Sequence, residues 1–402
     1  MVMSSHFSGH LTSLLPIIRA FRDAGDEVVV ATGAGLAPVV EKVGAKFYEA
    51  AHGASSWFYR LRERTRGNPG DGIVQDRLPH YWLPRLFGEI GAADMIDGVL
   101  AGGREMAPDL VLFENCAFAG PLAVEVLGVP GANHLFGQVQ DHEPLVLVND
   151  AVSPLWRSFG RDVPGYAGVY SDVTIKICLP SLEAFEVPAG QTLSLRPAPL
   201  REPAKATPSH PLVYVTFGTV LNTNLGPKRT VLEGLAGEPI DVVLTVGNDQ
   251  DPAALAPFPR NSRVERFIPQ ASLLPTCSAV IHHGGAGTTF GALAHGIPQV
   301  IIPQGEPITM RMPPCANAQE RLWCYVATIS HPWALPRCCV KFSRSQVTEW
   351  QPSVQRLGSP PCQAPTMWSM PCDPTCGPDP QQLDPSGDLR SLLHLYPQNA
   401  KI

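Results

Sequence analysis

Two histidines stand where a predicted strand passes into a predicted helix, a position from which side chains can do chemistry. His10 precedes apolar residues spaced for a helix, and His283 lies in a glycine-rich turn before a second helix, predicted from Thr288 to His295. In an open parallel sheet these junctions lie at the carboxyl ends of the strands, facing the crevice in which ligands bind. An imidazole there can accept a proton or donate a hydrogen bond.

The turn around His283 predicts an anion site. Unpaired N–H groups at a helix start, together with the positive end of the helix dipole, stabilise a phosphate. Thr288 and Thr289 can cap the helix or donate hydroxyls to phosphate oxygens, and His283 can offer a ring N–H. No lysine follows the glycines, so this is not a Walker loop. A turn that merely connects strand and helix is the alternative.

The residues around this turn carry a family resemblance. They read HHGGAGTT, preceded by FIPQ and followed by GIPQVIIPQG. This run resembles the nucleotide-sugar signature of the glycosyltransferases that decorate natural products, relatives of the macrolide, glycopeptide and enediyne transferases. The resemblance implies the GT-B fold, in which two Rossmann-like α/β domains face each other. It also implies a donor-binding set, which comprises Thr219, Phe267, Ile268, His283, Gly285, Ala286, Gly287, Thr288 and Thr289.

Within that set the resemblance assigns separate roles. Phe267 is expected to pack on the nucleobase, and the main chain of Ile268 to meet the edge of the base. Thr219 is expected beside the donor phosphates, and the glycine-rich turn is expected to hold the diphosphate. From its residue type alone, Phe267 could instead be a core aromatic.

The start of the chain resembles the same family. GHLTSLLPIIRAFRDAGDEVVVAT matches the family's opening, where the histidine of the Gly-His pair, here His10, is the general base for the acceptor hydroxyl. Without the resemblance, a lone histidine at a helix start is more often a cap or turn residue. PDLVLFE matches a strand that ends in an acidic residue orienting that histidine, for which Glu114 is the candidate and Asp109 the competitor. Glu114 as a simple loop cap is the alternative.

Composition bounds the function classes. The chain has 402 residues, enough for two domains, with a net charge of −6 and a pI near 6.1. There is no basic patch for nucleic acid, no spanning apolar run of about 20 residues and no signal peptide, which predicts a cytoplasmic protein without nucleic-acid or membrane partners. A homodimer is compatible with the sequence.

Three motifs that suggest a cofactor or metal are too weak to use. Gly33-Ala-Gly35 lacks the third glycine of a dinucleotide fingerprint. Asp249-Gln-Asp251 precedes a proline in an evident turn, and Cys372 and Cys376 have no second pair at zinc-finger spacing. The sequence therefore predicts no cofactor and no metal.

The predicted organisation has four parts. Residues 1–195 form an acceptor-binding Rossmann-like domain, in which residues 52–90 are irregular, with clustered aromatic residues, and residues 135–170 are loop-rich. Those aromatic residues either pack under a loop or line an acceptor pocket. A proline-dense linker follows at 196–211, then a partial donor-binding domain at 212–306.

The fourth part, residues 307–402, departs from the family. Seven of the ten cysteines and fifteen of the forty-two prolines lie there, without helix or strand periodicity, which favours a disordered tail. Pro307 and Ile308 stand where the family expects a sugar-binding acidic residue and a glutamine. We hypothesise that a shifted reading frame produced this segment, and that the second domain is incomplete.

The function predicted from all of this is an inverting, metal-independent hexosyltransferase-type glycosyltransferase of antibiotic biosynthesis. It would move a sugar from a TDP-sugar or UDP-sugar to a hydroxyl of a lipophilic natural product. A nucleotide-sugar epimerase would need the phosphate turn but no acceptor base. A non-catalytic nucleotide-binding or auxiliary protein would keep the turn without turnover.

Overall fold

The computed structural model describes residues 1–65, 78–139, 141–183, 185–196, 210–218, 224–248, 250–302 and a short strand at 382–383. Strands and helices alternate through these residues and build two sheets whose strands are all parallel. The predicted α/β class is therefore confirmed. The predicted linker and the predicted tail lie almost entirely outside the described residues, as does Thr219.

The first sheet takes its strands from the N-terminal half. They are β1 Val2–Met3, β2 Val29–Gly33, β3 Lys46–Ala51, β4 Val111–Glu114, β5 Gly131–His134, β6 Val173–Lys176 and β7 Gln191–Leu195. Their order across the sheet is β7-β6-β5-β4-β1-β2-β3, and Gln382–Leu383 pairs with the outer edge of β7. The order reverses at β1, so the carboxyl ends of β1 and β4 border the crevice where such sheets bind ligands.

The second sheet is smaller. Its strands are β8 Leu212–Thr216, β9 Asp241–Thr245, β10 Ser262–Glu265, β11 Ala279–His282 and β12 Gln299–Ile301, in the order β10-β9-β8-β11-β12. β8 lies beside both β9 and β11, so the order also reverses here, and the turn that follows β11 leaves the carboxyl end of the sheet.

Helices cover these sheets. They are α1 Ser8–Asp23, α2 Ala37–Lys42, α3 Ala54–Thr65, α4 Leu78–Trp82, α5 Ala93–Met106, α6 Ala119–Leu127, α7 His142–Ser158, α8 Gly226–Gly234, α9 Gln270–Leu273 and α10 Ala286–Ala294, with a π-helix at Leu83–Ala92 between α4 and α5. None of the helices in the described part of the chain is both long and apolar enough to span a bilayer.

Burial on both faces explains the strand sequences. All five residues of β2 and all five of β8 are buried, so both strands read as continuous apolar or small-residue runs. In β4 the side chains alternate between two cores, because Leu112 joins the cluster under α1 and Phe113 joins the cluster under α5 and α7.

Two segments predicted to be irregular contain helices. Residues 52–90 contain α3, α4 and most of the π-helix, and residues 135–170 contain the 17-residue α7. Prolines in α7 obscured its pattern, although Pro144 stands in the first turn, where its missing N–H costs nothing. Gly88 of the π-helix lets α7 approach closely, since a Cβ there would lie 3.3 Å from Val148 Cγ1.

Candidate active site

His10 and Glu114 are brought together by neighbouring strand ends. β1 ends just before the loop that leads into α1, and β4, its parallel neighbour, ends at Glu114. His10 was expected to precede the helix, but α1 begins at Ser8, so His10 lies in its first turn. His10 Nδ1 is 3.1 Å from Glu114 Oε1 and 3.0 Å from Ser5 Oγ.

The surroundings of Glu114 keep it ionised. Its side chain is fully buried, and it accepts hydrogen bonds from the main-chain N–H groups of Ser5, at 3.1 Å, and Cys116, at 2.6 Å. Burial alone would raise the pKa of Glu114, but the charge of His10 and the hydrogen bonds from His10, Cys116 and Ser5 outweigh it and lower that pKa. Because a carboxylate can only accept, Nδ1 of His10 carries the proton and Nε2 is the basic nitrogen of the neutral ring.

Asp109 lies at the opposite end of β4 from Glu114. It precedes β4, whereas Glu114 ends it. Burial lowers the pKa of the Met1 amine to about 6, and the charge of Asp109 opposes this, which places Asp109 near the amino terminus. The two candidates for the acidic partner of His10 are thus separated by the length of the strand, and only Glu114 contacts the imidazole.

Aromatic rings surround the imidazole of His10. Phe87 of the π-helix stacks on it with a centroid separation of 5.5 Å, and Phe136 approaches it at 4.5 Å. Phe7 lies 5.5 Å away on the third side. The side chain of His10 is only 12% exposed, so the imidazole is largely enclosed. Sequence reasoning missed Ser5, Phe87 and Phe136, since each touches the site only through the fold.

His282 stabilises the glycine-rich turn that follows β11 through hydrogen bonds of both its ring nitrogens. Its Nε2 is 2.8 Å from Gln299 Oε1 on β12, and its Nδ1 accepts a hydrogen bond from Gly284 N–H at 3.1 Å. Gly284 has φ +93°, a conformation open to glycine. Burial lowers the pKa of His282 to about 3, the neighbouring His283 adds to this, and the bond to Gln299 opposes it. His282 is therefore a neutral structural histidine.

His283 is held at close range by two glycines. A Cβ on Gly218 would lie 2.7 Å from Cε1 of His283, and a Cβ on Gly285 would lie 2.5 Å from its Nε2. Burial lowers the pKa of His283 to about 4, and a hydrogen bond to the main chain of Thr216 opposes this. Among the described residues, none pairs with its buried Nδ1.

The helix after the turn begins at Ala286, two residues before the predicted start. Gly285 is the N-cap and supplies no side-chain cap, so the first N–H groups of α10 have no partner within the helix. Of the two roles predicted for Thr288 and Thr289, the helix cap is therefore wrong. Thr288 Oγ1 accepts a hydrogen bond from Gln270 Nε2, and Thr289 Oγ1 donates to Gly285 O, each at 2.9 Å.

Phe267 is a surface residue and not a core aromatic. It lies in the loop between β10 and α9 with 53% of its surface exposed, while Ile268 is half-buried against the core of the second sheet. An exposed ring followed by an anchored residue is an arrangement in which a flat base can stack.

The two histidine turns adjoin each other. Ala286 and Phe290 of α10 belong to the same buried cluster as Phe7 and Phe136, which flank His10, and α10 packs against α1. The start of α10 and the imidazole of His10 therefore border a common region between the two sheets.

His10, Glu114 and Cys116 also form a trio of metal-ligand types. Their ligand atoms lie within 4.8 Å of one another. The carboxylate oxygens of Glu114 already accept hydrogen bonds from Ser5, Cys116 and His10. These hydrogen bonds explain why the three side chains lie together. Asp251 of the predicted Asp-Gln-Asp pair caps the turn after it by accepting from Ala253 N–H at 3.1 Å, while residue 249 lies outside the described residues.

Known proteins resemble this chain in sequence and in fold. The family described as "Erythromycin biosynthesis protein CIII-like, C-terminal domain" matches residues 229–317. The elloramycin glycosyltransferase ElmGT of Streptomyces olivaceus is 30% identical over 305 residues, which cover 73% of this chain and 78% of that protein. This chain belongs to the natural-product glycosyltransferases. The 10-deoxymethynolide desosaminyltransferase of Streptomyces venezuelae is 28% identical to this transferase. The match covers 73% of this transferase and 77% of the Streptomyces venezuelae protein.

Solved structures of glycosyltransferases have the same fold as this chain. The glycosyltransferase SnogD of Streptomyces nogalater matches with a TM-score of 0.58 and 27% identity, over 75% of this transferase and 80% of its own chain. SsfS6 of Streptomyces sp. SF2575, solved with thymidine diphosphate, matches with a TM-score of 0.60 and 27% identity, over 75% and 81%. The predicted GT-B architecture and the predicted glycosyltransferase class are both confirmed.

Proposed function

We propose that this transferase moves a deoxysugar from a TDP-sugar to a hydroxyl of a small lipophilic natural product. The observation that carries the proposal is the contact of His10 with the ionised, buried Glu114, beside the cluster that reaches the start of α10. TDP is favoured over UDP because SsfS6 is solved with thymidine diphosphate. The relatives' names, such as desosaminyltransferase, favour deoxysugars.

The acceptor is activated at His10. Its Nε2 takes the proton of the acceptor hydroxyl as that oxygen bonds to the anomeric carbon, and the bond from this carbon to the diphosphate oxygen breaks. One displacement of this kind inverts the anomeric centre. The imidazolium that forms is stabilised by the carboxylate of Glu114, to which Nδ1 remains hydrogen-bonded. Asp109 has no part in this step.

The donor is held at the second sheet. The N–H groups of Ala286, Gly287 and Thr288, which have no partner within the helix, and the positive end of α10 face the diphosphate and stabilise the charge that it gains on leaving. His283 and Thr289 line the same turn, and Gly285 allows the close approach of the phosphate. Phe267 stacks on the base, and Ile268 meets its edge. Backbone dipoles supply this stabilisation, so the transfer is proposed to need no metal.

The acceptor lies on the aromatic side of His10. Phe7, Phe87 and Phe136 each approach the imidazole, and Trp82 and Phe58 pack together behind them. Flat apolar surfaces of this kind suit polycyclic or macrolactone aglycones, which present few polar groups besides the reacting hydroxyl.

The test combines turnover with binding. Purified protein is incubated with TDP-sugars and UDP-sugars and with aklavinone or 10-deoxymethynolide, and products are separated by mass spectrometry. We expect a glycosylated aglycone from TDP-sugars, and His10→Ala to lower turnover about 10²–10⁴-fold with unchanged calorimetric affinity for TDP. Tight TDP binding without transfer to any aglycone would identify an auxiliary binding protein. Sugar interconversion without acceptor would identify an epimerase.

A further inference from the structure

Asp94 is a buried carboxylate that receives hydrogen bonds from three residues of a neighbouring segment. Its side chain is 3% exposed in the first turn of α5. Oδ1 accepts from His52 Nδ1 and Arg60 Nη1, each at 2.8 Å, and Oδ2 accepts from His52 N–H and Trp57 Nε1, each at 2.9 Å. Four donors fill the hydrogen-bonding capacity of a carboxylate.

All of these donors belong to α3 or to the turn that leads into it. Trp57 and Arg60 lie one turn apart on α3, and His52 precedes the helix. Burial alone would raise the pKa of Asp94, but the hydrogen bonds from Trp57 and His52 outweigh it and lower that pKa, so the carboxylate is ionised at neutral pH. A single charge on α5 is therefore hydrogen-bonded both to α3 and to the turn before it.

Trp57 connects this charge to the π-helix. Its indole is 1% exposed and meets Phe87 edge-on, with ring centroids 6.2 Å apart and planes at 90°. Gly91, one turn further along the π-helix, is backed directly by the indole, since a Cβ there would lie 2.5 Å from Trp57 Cη2. Phe87 in turn stacks on His10. The contacts run without a gap from Asp94 to the imidazole.

We propose that Asp94 is a positioning residue, which holds α3 and the π-helix together as the acceptor-facing wall beside His10. It touches neither substrate nor reacting atoms, and it acts through Trp57 and Phe87. The inference rests on the proposed function for its effect on acceptor binding. Its effect on α3 and on the π-helix is a property of the fold and is independent of turnover.

The test compares Asp94→Asn with Asp97→Asn. Asp97 is exposed on the same helix, so its substitution changes the net charge equally without touching α3. Hydrogen exchange is followed by mass spectrometry in peptides covering 54–65 and 83–92. A charged hydrogen bond contributes about 1.5–3 kcal/mol, so we expect Asp94→Asn to speed exchange in both peptides by about tenfold or more and Asp97→Asn to leave it unchanged.

The acceptor side is measured separately from turnover. The dissociation constant for aklavinone is determined by fluorescence titration without donor, and the one for TDP by calorimetry. We expect Asp94→Asn to weaken aklavinone binding about tenfold and to raise the acceptor KM more than it lowers kcat, with TDP binding unchanged. A merely structural role would weaken both ligands together.

Trp57→Phe covers the case in which Asp94→Asn does not fold. This variant keeps an aromatic ring and removes only the N–H donor to Asp94, so we expect the same changes at smaller size. The proposal is overturned if either variant leaves exchange in 54–65 and 83–92 at the wild-type rate, or loosens α3 without weakening aklavinone. Failure of the proposed function gives a different result, because the wild type itself would then bind no aglycone. The hydrogen-exchange result would still decide the role of Asp94 in the fold.

Discussion

The ring of Phe87 stacks on the imidazole of His10, with 5.5 Å between centroids and 13° between planes. The ten-residue π-helix Leu83–Ala92 supplies Phe87. With Glu114 on Nδ1 and Phe87 on its face, the ring of His10 has its in-plane rotation and its tilt both fixed. The direction of its Nε2 lone pair is therefore set before an acceptor arrives.

Phe87→Leu is expected to lower kcat. Leucine keeps the site apolar but removes the stacked face, and small misplacements of a catalytic group cost about ten- to hundredfold in rate. Phe47→Leu, on the far core of the same sheet, is the control and should leave kcat unchanged. Steady-state kinetics with saturating TDP-sugar measures both. Equal rates for Phe87→Leu and the wild type would contradict an orienting role for the ring.

Glu114→Gln is expected to lower kcat/KM about 10²-fold or more, because the amide cannot stabilise the imidazolium. Asp109→Asn, which removes a carboxylate at the other end of the strand, should leave kcat/KM at the wild-type value. The comparison decides between the two acidic residues that the sequence left open. A larger loss in Asp109→Asn than in Glu114→Gln would reverse the assignment.

The same carboxylate gives a pH dependence to stability. Its pKa is lower in the folded protein than in the unfolded chain, so its stabilising contribution is present above the unfolded pKa near 4.5 and is lost as pH falls through the folded value. As the pH is lowered from 5, we expect the urea midpoint of the wild type to fall more steeply than that of Glu114→Gln. Parallel curves for the two proteins would mean that folding does not lower the pKa of Glu114.

His282→Leu is expected to destabilise the second sheet. The change leaves the buried amide of Gln299 and the N–H of Gly284 without their partner, at about 1–3 kcal/mol for each unsatisfied group. His295→Leu, at the exposed end of α10, is the matched control and should shift stability by less than about 0.5 kcal/mol. Chemical unfolding compares the two, and similar midpoints would remove the structural role assigned to His282.

The sequence predicted those parts of the site that local rules control. His10 and Glu114 each end or follow a strand recognisable by its apolar run, and the junction rule of parallel sheets brings them to one edge. The glycine turn was equally visible, because its residues specify both the backbone and the helix start. The threonine cap was predicted wrongly, since the helix starts at Ala286 and both hydroxyls bond within the protein.

Elements set by tertiary packing escaped prediction. β5 reads Gly-Ala-Asn-His, which has no strand character of its own, and it forms because β4 and β6 lie on either side. The π-helix packs closely on α7 at Gly88 and on Trp57 at Gly91, and neither contact has a sequence pattern. Asp94 likewise looks like a surface carboxylate until α3 is placed beside it.

TDP binding is expected to be coupled to protonation of His283. Burial holds the pKa of this ring at about 4 in the free protein, so it is neutral at pH 7, and a diphosphate beside it would raise that pKa. A group whose pKa rises on binding makes affinity increase as pH falls, here between pH 7 and pH 5. TDP itself titrates in this range, so the quantity to measure is the difference in calorimetric pH dependence between wild type and His283→Gln, in which the ligand's own protonation cancels. We expect the wild type to gain affinity relative to His283→Gln toward pH 5, and identical slopes would place His283 away from the phosphates.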